Sequence, residues 1–410
     1  MNKILFITTR NILNTSGELR LIKNRAKTLF MKWGVITDFI VLCSNKKINK
    51  NKESMEYSCK VNTLGYDFYS PISVISAIKK SKKLISEQLI SGEYKCIILS
   101  GIGTLSYLPV IRALNKDIKI IADIHGANED ILQFLKGNSL LKKIRQRFIY
   151  QIARYGEAKY LKDVDASLVV SIGLREYLKK LYKLKNHKFY IAPCAIEGGK
   201  FDFDERFKNR ELFRNKYMIK PDEVLFIYSG GVSPWQCIDK SIKLYKEIKA
   251  NCNIKCRMLI LSHKIQEIVP MIKDCNEIIT DSVDASVVNK ILCAGDFALL
   301  IRDDIVTNNV AYPNKFLEYV QSGMKVITTP FIHDVALQVK QYDLGIVFDI
   351  NKDDMHKLYD YITTIHNEDY NCRIELLRNT AFEYTMKGFV EDIILNKSME
   401  MSDEKNIFDS

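Results

Sequence analysis

NNVAYPNKFLEYVQSGMKVITTP, residues 308–330, compresses a helix start, a helix end and a buried strand into one short stretch. Pro313 suits a first helical position, where a missing N–H costs nothing and φ is already set. Gly323 suits the left-handed residue just past a helix end. Between them Phe316, Tyr319 and Val320 fall on one side, while Asn314 and Glu318, spaced i,i+4, share another. Val326, Ile327 and Thr328 then read as a β-branched strand stopped by Pro330. Polar groups therefore gather at a helix N-terminus, where unpaired N–H groups and the dipole attract anions. A capped surface helix with a solvated Lys–Glu pair would read the same way.

The same alternation runs outward in both directions. KILFITT (3–9) precedes a helical stretch from Glu18 to Trp33, closed by Gly34, and VITDFIVL (35–42) follows. The charged segment SNKKINKNKES (44–54) reads as a loop or flap. CIILSG (96–101), KIIADIHG (119–126), ASLVVSI (166–172) and KFYIAP (188–193) are further strands with helical stretches between them. Residues 198–223 are polar and free of long apolar runs, which predicts an inter-domain linker. Alternation restarts with VLFIYSGG (224–231) and a helix from Pro234 with apolar positions Ile238, Ile242, Tyr245 and Ile248. RMLILS (257–262), EIIT (277–280), FALLI (297–301) and KVITT (325–329) continue it. Repeated βα units predict an α/β chain of two Rossmann-like, doubly wound domains, 1–197 and 224–385, with a C-terminal helix and polar tail over 386–410. Ligands in such sheets sit at strand carboxyl ends, so the cleft between the domains is the expected active site.

The totals agree. A chain of 410 residues exceeds one ordinary core. Its 47% hydrophobic and 27% charged residues are those of a globular protein, and no apolar run reaches membrane-spanning length. MNKILFITTR is too short and too quickly polar for a signal peptide. The ten cysteines are scattered, with only Cys252 and Cys256 close together, which favours reduced cytoplasmic thiols over disulfides or zinc. The net charge of +12 is uneven: residues 1–200 carry 35 Lys and Arg against 16 Asp and Glu, or +19, leaving −7 for the remainder. A basic first half suits nucleic acid, anionic lipid or a phosphorylated substrate.

Three stretches at predicted carboxyl ends carry the chemistry. Gly230 and Gly231 in YSGGVSPWQ would let backbone N–H groups approach a phosphate, although an ordinary βα turn favours glycine too. Arg302 ends the strand FALLI. Lys315 adds charge to the helix N-terminus, and the Glu318 carboxylate, one turn on, could bind two adjacent hydroxyls of a ribose. His125 projects at a carboxyl end, with Glu129 four residues later at a helix start. Gly101-x-Gly103 in SGIGTLSYLP is only a partial dinucleotide fingerprint and reads as a strand-to-helix turn.

FIYSGGVSPWQ, DFALLIR and above all AYPNKFLEYVQSGMKVI resemble the retaining glycosyltransferases of family four, of the polysaccharide-assembly type. DIHGANED, VVSIGLREYL and YIAP add weaker matches, so the resemblance runs from near the N-terminus to about Gly323. It implies the GT-B architecture of two facing Rossmann-like domains. It also implies transfer of a sugar, with retained anomeric configuration, from a nucleotide-diphosphate sugar and with no required metal. By this resemblance His125, Arg302 and Lys315 are catalytic, and Gly17, Gly230, Gly231, Asn314, Lys315, Phe316 and Glu318 bind the donor. Glu129 is a carboxylate on the acceptor side. Two positions depart from the family pattern. Val310 stands where many members have the first acid of Glu-x7-Glu, and Gln236–Cys237 stands where many have Lys–Gly. Arg302 and Lys315 would supply the missing charge. DFD (202–204) falls in the predicted linker and not at a strand end, so no metal or other cofactor is expected.

The stretch LLKKIRQRFIYQIARYGEAKYLK (140–162) puts Leu141, Ile144, Phe148, Ile152 and Tyr155 on one stripe, with Lys142, Lys143, Arg145, Arg147 and Arg154 mostly elsewhere. It fits a core-packed helix with a basic outer face, or an interfacial helix on anionic lipid. Nucleic acid is disfavoured, since no recognition module is visible. The expected partners are a nucleotide-diphosphate sugar, a glycan or lipid-linked acceptor and the inner face of a membrane, with the protein cytoplasmic and peripherally bound. A nucleotide-sugar epimerase, a GT-B scaffold subunit without turnover, and a nicotinamide oxidoreductase are the rival readings.

Overall fold

The structure is a computed structural model describing residues 2–9, 17–44, 60–67, 71–133, 139–193, 203–366 and 386–395. The expected loop over 44–54 lies outside the described residues apart from its first residue, as do the start of the expected linker and the polar tail. The chain divides into two compact units, Met1–Ala195 with Tyr384–Ser410, and Ile196–Glu383.

The first unit follows the order β1 (Lys3–Thr8), α1 (Gly17–Trp33), β2 (Ile36–Ser44), β3 (Val61–Tyr66), α2 (Pro71–Ser91) and β4 (Tyr94–Ser100). A 3-10 turn, α3 (Leu108–Leu114), β5 (Lys119–Ile124), α4 (Asp130–Gln133), α5 (Leu140–Tyr160), β6 (Ala166–Val169), α6 (Ile172–Tyr182) and β7 (Phe189–Ile191) complete it. Its seven strands pair in parallel in the order β3-β2-β1-β4-β5-β6-β7. Strand β3 escaped the sequence reading because VNTLGY is an edge strand, half-buried throughout, with no apolar run. One sheet face packs against Ile22, Ala26 and Leu29 of α1 and against Met386, Phe389, Val390, Ile393 and Ile394 from the far end of the chain.

The second unit runs α7 (Phe203–Lys216), β8 (Val224–Ser229), α8 (Ile238–Asn251), β9 (Cys256–Leu261), α9 (Ile265–Ile272), β10 (Ile278–Asp281) and α10 (Ala285–Leu292). It continues with β11 (Phe297–Leu300), α11 (Val306–Asn309), α12 (Asn314–Gln321), β12 (Lys325–Thr328), α13 (His333–Gln341), β13 (Gly345–Val347) and α14 (Met355–His366). The order β10-β9-β8-β11-β12-β13 reverses direction between β8 and β11, the switch point of a doubly wound sheet. The expected apolar face of α8, Ile238, Ile242, Tyr245 and Ile248, is buried in this unit's core. Every described cysteine is buried.

Residues 203–216, read from sequence within a linker, instead form α7 and belong to the second unit. The helix hid from a search for apolar periodicity because charge, more than hydrocarbon, anchors it. Arg210 and Arg214, spaced i,i+4, reach Asp296 just before β11 at 2.5 and 3.2 Å. Asp296 also accepts the Leu225 N–H at 2.9 Å, and Arg214 donates to the carbonyls of Lys220 and Glu223. Removing the carboxylate strands two guanidinium groups. Asp296→Ala is therefore expected to destabilise the second unit by about 3–5 kcal/mol, measured by urea unfolding.

Candidate functional site

The second unit gathers its unusual polar groups at the carboxyl edge beside the β8/β11 switch point. Strand β8 is buried along its whole length and ends at Ser229. Gly230 follows at φ +146°, its N–H donating to the Leu261 carbonyl at 2.8 Å. Here the absence of a side chain matters twice, since φ lies where L-residues are strained and a Cβ would stand 1.6 Å from the Lys315 Nζ. Lys315, on the first turn of α12, thus lays its ammonium directly on the Gly230 backbone. Below it lies the Tyr228 ring, whose centroid is 5.1 Å from Nζ, and the Tyr228 hydroxyl donates to the Gly231 carbonyl at 2.7 Å. Tyr319, one turn further along α12, fastens the helix to the strand end by accepting the Ser229 N–H at 2.9 Å.

The electrostatics of this edge are set by two buried cations. Lys315 as a residue is half-buried, yet its Nζ is out of reach of water and has no hydrogen-bond partner among the described residues. Burial, reinforced by the Arg302 charge and only partly opposed by Glu318, lowers the Lys315 pKa to about 7. Arg302 is also buried; its NH1 donates to the carbonyls of Gln236 at 2.8 Å and Ile301 at 2.9 Å. No carboxylate lies within ion-pair distance of Arg302 or Lys315 among the described residues. Two buried cations without a counter-ion leave room for an acidic ligand.

Among the other expected site residues, Asn314 begins α12 and Glu318 sits one turn on, both half-buried. Pro313 is the residue before the helix, at ψ 133°, and not its first helical position. A residue that caps with extended backbone satisfies the proline ring equally well. Gly323 is left-handed at φ +86°, as the sequence requires. Phe316 was expected to touch the donor, but it is fully buried, edge-on to Tyr312, so it seats the helix and offers no surface to a ligand. Lys315, expected at an exposed helix start, has instead a buried ammonium, because the Gly230 backbone admits it.

In the first unit Gly17 opens α1, and the residues preceding it lie outside the described set. His125 follows β5, with Nε2 2.6 Å from a carboxylate oxygen of buried Asp123. Glu129 accepts the Tyr150 hydroxyl of α5 at 3.1 Å. Sequence reading passed over Tyr228 and Asp123, and placed Tyr319 only on the apolar side of the helix. Asp123 had a readable signal: two residues before His125 on a strand, it shares that residue's side.

The stripe on α5 separates the two readings given for it. Leu141, Ile144, Phe148, Ile152 and Tyr155 are exposed, the first at 80%, and only Ala153 of this helix is buried. The helix is not core-packed along its predicted face. No helix among the described residues is long and apolar enough to cross a membrane.

No protein-family model matches the sequence, and no curated protein matches it. Solved structures do. WaaG, a glycosyltransferase involved in lipopolysaccharide biosynthesis, aligns with TM-score 0.62 at 13% identity over 95% of this chain and 99% of its own. A glycosyltransferase from Rickettsia africae gives 0.66 at 14% identity over 97% and 99%. A trehalose-6-phosphate structure from E. coli bound with UDP-2-fluoro glucose gives 0.61 at 10% identity over 96% and 99%. The fold is GT-B. At such identities the likeness concerns architecture, and the chemistry has to come from the residues.

Lys315 makes a measurable prediction. Its folded pKa of about 7 lies below the unfolded value of 10.5, so between these the unfolded chain holds more protons and this group's contribution to stability rises with pH. Lys315→Met is expected to melt higher than the parent near pH 7, with the gap narrowing towards pH 10. Each kcal/mol is worth about 2–4 °C for a domain of this size, read by differential scanning fluorimetry.

Proposed function

We propose that this chain is a glycosyltransferase that takes its sugar from a nucleotide-diphosphate donor held by the second unit. The observation that carries the reading is the unpartnered Lys315 ammonium, seated with Arg302 at the switch point against a glycine-rich turn. A diphosphate supplies the missing negative charge, and the α12 N-terminus and the Gly230–Gly231 backbone supply N–H groups. Glu318, one helical turn from Lys315, takes the ribose hydroxyls. In departure of the nucleoside diphosphate, charge develops on the leaving oxygens, and preorganised cations in a dry site stabilise it without reorganising. That makes a divalent ion unnecessary, so transfer is expected to survive a chelator. Donor-phosphate stabilisation of this kind suits transfer with retention.

A scaffold without turnover would gain nothing from keeping a buried ammonium unpaired. An epimerase would use the same donor site, and a requirement for an acceptor separates the two.

The exposed apolar stripe of α5 beside Lys142, Lys143, Arg145 and Arg147, on a unit with most of the chain's positive charge, supports a peripheral position on an anionic membrane and a lipid-linked glycan acceptor in cell-surface polysaccharide assembly. The apolar side chains would enter the headgroup boundary while the cations meet lipid phosphates.

Two measurements test this. Nucleoside diphosphates and their sugars should raise the melting temperature of the parent and not of Lys315→Met, although that variant is the more stable when empty. Because anion binding favours charged Lys315, the parent's affinity should fall as pH rises above about 7, with proton uptake visible by calorimetry in buffers of different ionisation enthalpy. Equal nucleotide shifts in both proteins would place the donor elsewhere. Separately, co-sedimentation with anionic vesicles should weaken with salt and drop when Lys142, Lys143, Arg145 and Arg147 become Glu, leaving nucleotide binding unchanged. Unaltered partitioning of that variant would argue for a soluble acceptor.

A further inference from the structure

Strand β5 leads into Asp123-Ile124-His125, and the two-residue period aims Asp123 and His125 to one side. Asp123 is buried and serves two partners with its two oxygens. Oδ2 lies 2.6 Å from His125 Nε2, and Oδ1 is paired with a guanidinium nitrogen of buried Arg25 from α1. The second terminal nitrogen of Arg25 donates to the Ala192 carbonyl, beyond β7. The carboxylate is thus clamped between a helix and a strand end before it meets the imidazole.

Burial by itself would raise the Asp123 pKa, but Arg25 and His125 outweigh it and hold the carboxyl well below the usual carboxylate range. An ionised carboxylate can only accept, so the short contact requires a proton on Nε2.

We propose that Arg25 and Asp123 are a positioning pair for His125, fixing its ring and its Nε2–H tautomer. The catalytic consequence rests on the glycosyltransferase reading above; the tautomer does not. His125 then keeps one protonation pattern on every turnover, and the two residues behind it serve only to position it.

The test is nitrogen-15 NMR of histidine-labelled full-length protein, with the His125 signals assigned by their loss in His125→Gln. The parent is expected to show the Nε2-protonated tautomer. In Asp123→Asn the amide can donate or accept, so the signals should shift towards a tautomer mixture. With a nucleotide sugar, kcat should fall by at least about tenfold, as when an orienting carboxylate is lost elsewhere, while KM stays nearly constant. Since that variant strands a buried arginine, the double variant Arg25→Met/Asp123→Asn removes both charges and guards against misfolding, and it should show the same two effects. An Nδ1-protonated ring in the parent would overturn the proposal. So would a folded variant that keeps the parent's tautomer, or one that changes tautomer with kcat unaltered. A parent that transfers no sugar at all would sink the functional reading, while the NMR arm would still decide the tautomer.

Discussion

An ammonium group pressed onto a glycine backbone, with no carboxylate to meet it among the described residues, is the contact around which the carboxyl edge of the second unit is built. It requires Gly230 to have no side chain and Tyr228 to present a ring face beneath it. It requires Tyr319 to fasten α12 to the end of β8 so that Lys315 cannot swing into water. Folding has to bear the desolvation of Lys315 and Arg302, and the hydrocarbon core built around Phe226, Tyr245 and Phe297 is what offsets it. That desolvation makes this edge a local weak point in an otherwise well-packed sheet. Placing such a point at the switch of strand order, where no neighbouring strand fills the crevice, confines the cost to one edge of the sheet.

The two units use charge in opposite ways. In the second, the decisive cations are buried, unpaired and short-ranged. In the first, the buried cation Arg25 is paired and serves orientation, while the remaining basic residues are mostly exposed and form a diffuse field that salt screens. A buried charge discriminates between ligands because its desolvation is already complete. An exposed field sets encounter rates and residence near an oppositely charged surface. The α5 face joins that field to an apolar stripe, a combination that water alone tolerates poorly.

Most strands were legible because parallel strands covered on both faces become continuous apolar runs, as VLFIYS and CIILS show. The misses share a cause. Strands β3 and β13 are edges, half-buried and short, and α7 is held by Arg210, Arg214 and Asp296 in place of an apolar stripe. The sequence placed Lys315, Gly230 and Arg302 at strand ends but could not show that the lysine would bury its ammonium, because that depends on a glycine eighty-odd residues away. The apolar stripe of α5 was read correctly as a stripe. Its direction was not readable, since periodicity reports that a face exists and not what covers it.

The core of the first unit is closed by residues from the opposite end of the chain. Met386, Phe389, Val390, Ile393 and Ile394 pack with Ile4, Phe6 and Phe39, and Asp392 accepts from Lys188 and Tyr190 beside β7. On the ribosome, therefore, the first unit to be made is the last to be finished. Its sheet emerges with one face still uncovered, and the intervening unit can assemble completely while that face waits. A nascent chain stalled short of residue 386 would hold a complete sheet and core in its second unit and an incomplete core in its first. Quality control by chaperones and proteases would then act on the half of the molecule that was synthesised earliest.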